Sequence, residues 1–293
     1  MLAVNCMGGT HGLIVPTAGS VEVVKHLLDA TLRRHFPQSP YVHLGGDETV
    51  QFRESSIMTP AVRDELAELW GKGEYVSLSQ AHGGFLESLR SYVERQHHRT
   101  SILWDDSAKS ILSSLQKKKN SLSGAAPIAS ADAVVADSTL PVVQWWRDWH
   151  EDGRWQTFRS VPVLKILSPT SHTYFDASQH KNRAEDVYPV QDGTVTAEDV
   201  WNLSDKLTSP GADRVLGVEG CLWSETLVNT TVLWYQLLPR LSALANVAWS
   251  GGELATKGFR DAVVGGATYE HATSKLQLHV NATLHFTPLV IVH

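Results

Sequence analysis

Cysteine is scarce in this chain of 293 residues, which holds only Cys6 and Cys221. Two cysteines cannot build a disulfide framework, and nothing resembles paired zinc-ligand spacing. Long apolar runs are missing as well: no stretch of about 18 apolar residues offers a bilayer span. The opening MLAVNCMGG has neither the basic n-region nor the apolar h-region of a secretory leader. Basic residues do not cluster. The Lys117-Lys118-Lys119 run is short and isolated and the formal net charge of -6 is mild, so nucleic acid is not an expected partner. His97-His98 has no companion ligand at workable spacing, so neither a metal nor another cofactor is expected. Sequons at Asn202, Asn229 and Asn281 admit a glycoprotein and leave the compartment open.

Against these absences stands a surplus of tryptophan, ten in all, in a chain whose hydrophobic fraction of 42% supports a substantial core. Tryptophan offers a large flat face with an N–H handle, and it collects in cores or at sites that stack sugars, bases or cations. Trp70, Trp234 and Trp249 fall at helical spacing and read as core, while Trp149, Trp155 and Trp201 stay unassigned.

Apolar periodicity organises the rest. Val23, Val24, Leu27, Leu28 and Leu32 recur at helical spacing over residues 21–35, with Ser20 as N-cap and Pro37 beyond the end. Thr59-Pro60 opens a second helix that Gly71 stops, and Phe85, Leu86, Leu89, Tyr92 and Val93 mark a third. Residues 230–249 give a further helical pattern, interrupted by Pro239. Between them lie apolar runs of strand length: YVHLGG (41–46), SILW (101–104), PVVQWW (141–146), VPVLKILS (161–168) and RVLGVEGCLW (214–223). Residues 113–138, rich in Ser, Ala and Lys, read as a loop or a divergent helix. Strands alternating with helices predict an α/β fold with a parallel sheet, of the (β/α)8 TIM-barrel type. Residues 1–260 are expected to form this partial barrel, and residues 261–293 a divergent C-terminal tail.

In a barrel, residues just past the C-terminal ends of the strands face the active site. YVHLGGDETV puts two glycines and two carboxylates at such an end. The glycines let the backbone turn, and Asp47 and Glu48 are carried to the mouth. Carboxylates held close repel, so their proton affinities separate, one holding a proton near neutrality and the other ionised. His43 lies within the strand and points away from the mouth as a core or supporting residue. Trp145 and Trp146 face opposite ways if the strand runs through them, so one of them turns to the mouth and the other to the outer helices.

HLGGDE (43–48) resembles the His-x-Gly-Gly-Asp-Glu signature of family 20 glycoside hydrolases, the β-N-acetylhexosaminidases. MGGTHGLIVPT (7–17) looks like the family's segment ahead of this helix, LWDD (103–106) like its fifth strand and VVQWW (142–146) like its sixth. SPTSHTYFD (168–176) is similar to its seventh, with a Tyr-x-Asp, and GVEGCLWSE (217–225) to its eighth, with a Trp-x-Glu. The resemblance implies hydrolysis of terminal non-reducing N-acetyl-β-D-hexosamine residues by a retaining, substrate-assisted mechanism, the sugar's own 2-acetamido oxygen attacking the anomeric carbon. It implies Glu48 as general acid and then base, and Asp47 as acceptor of the acetamido N–H. Tyr174 would donate to the acetamido oxygen, Asp176 and Glu225 would bind sugar hydroxyls, and Trp104, Trp146 and Trp223 would wall the pocket. Implied partners are N-acetylhexosaminide glycans, with a homodimer or a completing chain, in a lysosomal or secreted setting and without a cofactor.

By the same resemblance the chain begins at the segment leading into the fourth strand. Strands one to three, the small α/β domain before them and the family's first-strand Arg are therefore expected to be absent. A second reading follows, an inactive truncated paralogue or fragment acting as a carbohydrate-binding or interaction remnant. A third, a metal-dependent barrel hydrolase, predicts inactivation by chelators. Chitin oligomers, glycoprotein glycans and glycolipids stay open as substrates, as do GlcNAc and GalNAc.

Overall fold

A computed structural model describes residues 14–48, 59–109, 140–150, 154–161 and 163–250. The described residues fall into two compact units, those within 1–144 and 161–164, and those within 145–160 and 165–293. The readings for residues 113–138 and 261–293 lie outside the described residues.

The first unit contains α1 (Ala18–Arg34), β1 (Tyr41–His43), α2 (Pro60–Gly71), α3 (Leu78–His97), β2 (Thr100–Trp104) and β3 (Val142–Trp145), except that Trp145 belongs to the second unit. Its strands pair in parallel, Val42 opposite Ser101 and Leu103 opposite Val143, as the alternation of helices and apolar runs predicts. The N-cap of α1 is Thr17, not Ser20: Thr17 is extended and its Oγ1 accepts the Ser20 N–H. Val21 and Val24 pack on Phe85 and Leu89 of α3, and Leu32 packs with Val42 of β1 and Val93 of α3. Val23 and Leu27 are 58% and 52% exposed, because each residue turns the helix by about 100° and only the Val21, Val24, Leu28 and Leu32 stripe meets α3 and β1. Thr59 caps α2 through the Val62 N–H, and Ser77 and Gln80 form a reciprocal capping box on α3. His97 is a structural tie. Its Nε2 lies 2.8 Å from Asp29 Oδ1 on α1, the same oxygen that takes the Tyr92 hydroxyl.

The second unit holds α4 (Trp155–Phe158), β4 (Lys165–Leu167), α5 (Thr170–Thr173), β5 (Ala177–Ser178), β6 (Gln191–Thr194), α6 (Ala197–Asn202), α7 (Ser204–Leu207), β7 (Val215–Val218), α8 (Thr230–Leu237) and α9 (Arg240–Ser250). β4 pairs with β7 and β5 with β6, both in parallel. Phe175, Val200, Trp201, Leu222, Leu237, Leu244 and Val247 share one core. Pro239 separates α8 from α9, as its missing N–H requires. Trp234 and Trp249, expected in the core, are 41% and 73% exposed. On α9 the buried stripe runs through Ala243, Leu244 and Val247, and Trp249 stands about 200° round from Val247. Arg240 is fully buried and donates to the carbonyls of Gln236, Phe175, Ala177 and Val195, which fixes the backbone on both sides of Asp176. No described helix is long and apolar enough to cross a membrane.

Candidate active site

In the first unit, β1 gives way to a turn that only unusual backbone angles allow. Leu44 N–H still donates to Ile102 of β2, at 2.9 Å. Then Gly45 and Gly46 take φ of 63° and 89°, and Glu48 takes 55°. The left-handed region costs a residue with a side chain roughly 1–2 kcal/mol, so at Glu48 the surroundings must hold it. They do so through Asp106, just past β2, whose Oδ2 accepts the Glu48 N–H at 2.9 Å.

His43 secures the start of the turn. Its Nδ1 accepts the Gly45 N–H at 3.0 Å, so the proton lies on Nε2, which donates to Oε1 of the fully buried Gln144 of β3, also at 3.0 Å. The imidazole also lies against the buried ring of Trp104, the last residue of β2, with centroids 5.0 Å apart. Burial pushes the Asp47 carboxyl up to about 6, with the charge of Asp106 next and that of Glu48 a smaller contribution. Carboxylate crowding alone predicts the same direction, but desolvation leads here, and Asp106 outweighs the sequence neighbour. On α3, burial pushes His82 down to about 4, which leaves it neutral at ordinary pH.

In the second unit three assigned residues form an aromatic row. Trp146 stacks on Tyr174, with centroids 6.2 Å apart and planes at 15°, and Tyr174 leans toward Trp223 at 6.3 Å. Trp149 meets Trp146 edge-on at 5.0 Å. Trp145 packs instead with Trp155 and Phe158 of α4. Tyr174 follows α5 and bridges in parallel to Cys221, which donates its N–H to Thr173 and accepts that of Phe175. Burial pushes the Cys221 thiol well above its ordinary value and keeps it an unreactive core group.

A directional chain braces the segment before Tyr174. Lys206 Nζ donates to His172 Nε2 at 3.1 Å, which puts the imidazole proton on Nδ1 and toward Ser171 Oγ at 2.5 Å; the Ser171 hydroxyl in turn donates to Asp148. Burial, with the Lys206 charge, pushes His172 down to about 4 and keeps it neutral for this role.

Asp176 is buried, and its Oδ1 has no hydrogen-bond partner among the described residues. Burial raises its carboxyl to about 6, the charge of Glu225 adding and that of Arg240 opposing. Glu225 itself lies in the exposed turn after Trp223. A folded value near 6 against 3.8 when unfolded means that Asp176 favours the fold below about pH 4 and that this contribution is lost as pH rises through 6. Asp176→Asn is therefore expected to stabilise the chain by roughly 1–3 kcal/mol above pH 7, with no gain at pH 4, in paired urea titrations.

Among the described residues no group of three or more His, Cys, Asp or Glu is placed to hold a metal ion. Asp106 is the residue that sequence reading missed; it follows a strand end just as Asp47 does, and that position was the available signal.

The pattern described as "Glycosyl hydrolase family 20, catalytic domain" matches residues 5–252. A β-N-acetylhexosaminidase of Cellulomonas fimi is 29% identical over 111 residues, which is 37% of this chain and 22% of that protein. The exo-β-N-acetylglucosaminidase of Vibrio harveyi, solved with N-acetylglucosamine, superimposes with a TM-score of 0.59 at 20% identity, covering 95% of this chain and 37% of its own. The β-N-acetylhexosaminidase of Bacteroides fragilis gives 0.58 at 21% identity, covering 96% and 48%. The chain thus spans less than half the length of these relatives. At such identities the solved structures speak for the fold, α/β of the TIM-barrel type. The sequence pattern, covering most of the chain, carries the further conclusion that this chain belongs to glycosyl hydrolase family 20, within its catalytic domain.

Proposed function

We propose that this chain hydrolyses terminal non-reducing N-acetyl-β-D-hexosamine residues of glycans with retention, using the substrate's 2-acetamido oxygen as the nucleophile. The observation that carries this reading is the Gly45-Gly46-Asp47-Glu48 turn, where two neighbouring carboxyls follow a strand end and Glu48 is anchored to Asp106 through its own backbone N–H.

Glu48 protonates the glycosidic oxygen as the bond from C1 to that oxygen breaks and the acetamido oxygen bonds to C1. It then takes a proton from the water that attacks C1 and reopens the oxazolinium ring. Asp47 accepts the acetamido N–H. A carboxylate that desolvation makes costly in the free protein gains most where positive charge develops, so its stabilisation of the ring cation exceeds that of the bound sugar. Tyr174 donates its hydroxyl to the acetamido oxygen. Trp104, Trp146 and Trp223 supply flat faces for the acetamido methyl and the sugar ring, and Asp176 and Glu225 accept from ring hydroxyls. The names of the Cellulomonas and Vibrio relatives support the substrate class. A homodimer or a completing chain belongs to this reading.

The test pairs a thermal melt with and without a GlcNAc-thiazoline mimic of the ring cation and fluorimetric release from a 4-methylumbelliferyl β-GlcNAc glycoside. A cooperative transition moved upward by the mimic, together with release, is the expected result. A folded preparation that neither shifts nor releases aglycone overturns the proposal.

A further inference from the structure

We infer that Asp106 is a positioning residue for the hydrolysis proposed above, holding Glu48 in its left-handed backbone conformation by accepting the Glu48 N–H. The inference rests on that functional reading. Glu48 has φ of 55°, a region that side-chain-bearing residues rarely adopt, and its N–H points at Asp106 Oδ2 at 2.9 Å. A carboxylate accepting a backbone N–H makes one of the stronger hydrogen bonds in proteins, and it is of the size needed to offset the left-handed cost. Without it, the backbone relaxes toward negative φ and the Glu48 side chain swings away from the direction that the turn gives it.

Asp106 is itself well held. Asp105 N–H donates to Gln144 O at 2.9 Å, and Ala108 N–H returns to Trp104 O at 3.0 Å, which closes the turn on both sides of Asp106. That turn continues β2, the parallel neighbour of the strand that ends at His43. The catalytic turn therefore leans on the end of an adjacent strand, a rigid support. Asp106 acts on Asp47 as well, contributing more than any other charge to its raised proton affinity. Among the described residues, Glu48 and, from α3, His82 also face this turn, and burial keeps the His82 imidazole neutral.

Asp106→Ala removes both acceptor and charge, and Asp106→Asn keeps an acceptor of the same reach without the charge. On an aryl β-GlcNAc glycoside, Asp106→Ala is expected to lower kcat by about 10- to 100-fold with KM little changed, as small misplacements of a reacting group do. Asp106→Asn is expected to recover about ten-fold of that loss and to move the acidic limb of the pH profile downward.

Two readouts need no turnover. The Glu48 amide proton should shift upfield in Asp106→Ala, and a 13C titration of the Asp47 carboxyl, assigned with Asp47→Asn, should fall below 6 in Asp106→Asn. An inactive wild type in which both resonances move sinks the hydrolase reading and supports the positioning contact. Unmoved resonances overturn the inference whether or not the wild type is active, as does an active wild type whose kcat survives Asp106→Ala.

Discussion

Glu48→Gln is expected to lower kcat for an alkyl β-N-acetylhexosaminide by roughly 100- to 10,000-fold, with KM nearly unchanged, because a general acid acts on the leaving oxygen only as the bond breaks. Glutamine keeps the shape and the backbone contact to Asp106 but cannot give up a proton at neutral pH. The deficit should depend on the leaving group. A nitrophenolate departs without protonation, so its first step survives, and the attack of water on the ring cation then limits turnover because the base is gone. Azide, an anion that needs no base, should restore turnover to Glu48→Ala on an activated substrate and yield the β-configured glycosyl azide. Kinetics with aryl and alkyl substrates and NMR of the azide product check these outcomes. Equal losses on both substrates with no response to azide would place Glu48 outside the proton transfers. Asp47→Asn is the informative contrast: it weakens the hold on the acetamido group, so its loss should be the same for good and poor leaving groups.

How much of this was written in the residues differs from element to element. The runs at 41–46, 101–104 and 141–146 were legible as strands because they are apolar over strand length, and they contain β1, β2 and β3, of which β2 and β3 are buried along nearly their whole length. β1 is shorter than its run because the glycines leave the ladder. The pair of β5 and β6 was not legible: Gln191-Asp192-Gly193-Thr194 is polar, and it is a strand only through its pairing with Ala177 and Ser178. A signal for α6 was present and passed over, since Thr196 and Asp199 cap it reciprocally. Trp201, unassigned from sequence, lies in the core that α6 helps to form.

At the candidate site, side-chain chemistry was legible and backbone chemistry was not. Asp47 and Glu48 announced themselves by residue type and by the glycines before them. Asp106 and Arg240 act on backbone N–H and carbonyl groups, and any residue can supply those, so no spacing marks their partners. Arg240 stood in the sequence as a charge beside Pro239, and nothing there said that four carbonyls would surround it. The Trp145 and Trp146 pair could be read because a strand alternates its faces: one ring packs on α4 and the other on Tyr174.

Gly46→Ala is expected to destabilise the fold by roughly 2–4 kcal/mol, and Gly45→Ala by only about 1 kcal/mol. Both glycines have positive φ, so backbone conformation alone penalises a side chain at either, and more at 89° than at 63°. Packing separates them further. A Cβ on Gly45 meets nothing within 4 Å, whereas on Gly46 it would lie 2.9 Å from Leu86 Cδ1, 3.1 Å from Ser107 Oγ and 3.2 Å from His82 Nε2. All three neighbours are buried, Leu86 completely, so none can retreat without disturbing α3 or the end of β2. Urea denaturation of the two variants with a common slope measures the difference. The larger cost at Gly46 should come with lost activity, because the backbone that would move to relieve the contact carries Asp47 and Glu48. Equal costs at the two positions would mean that torsion alone fixes the turn. A Gly46 penalty of the expected size would mean that α3 and the end of β2 press the carboxylate turn into place, which ties the stability of the first unit to the direction in which Glu48 points.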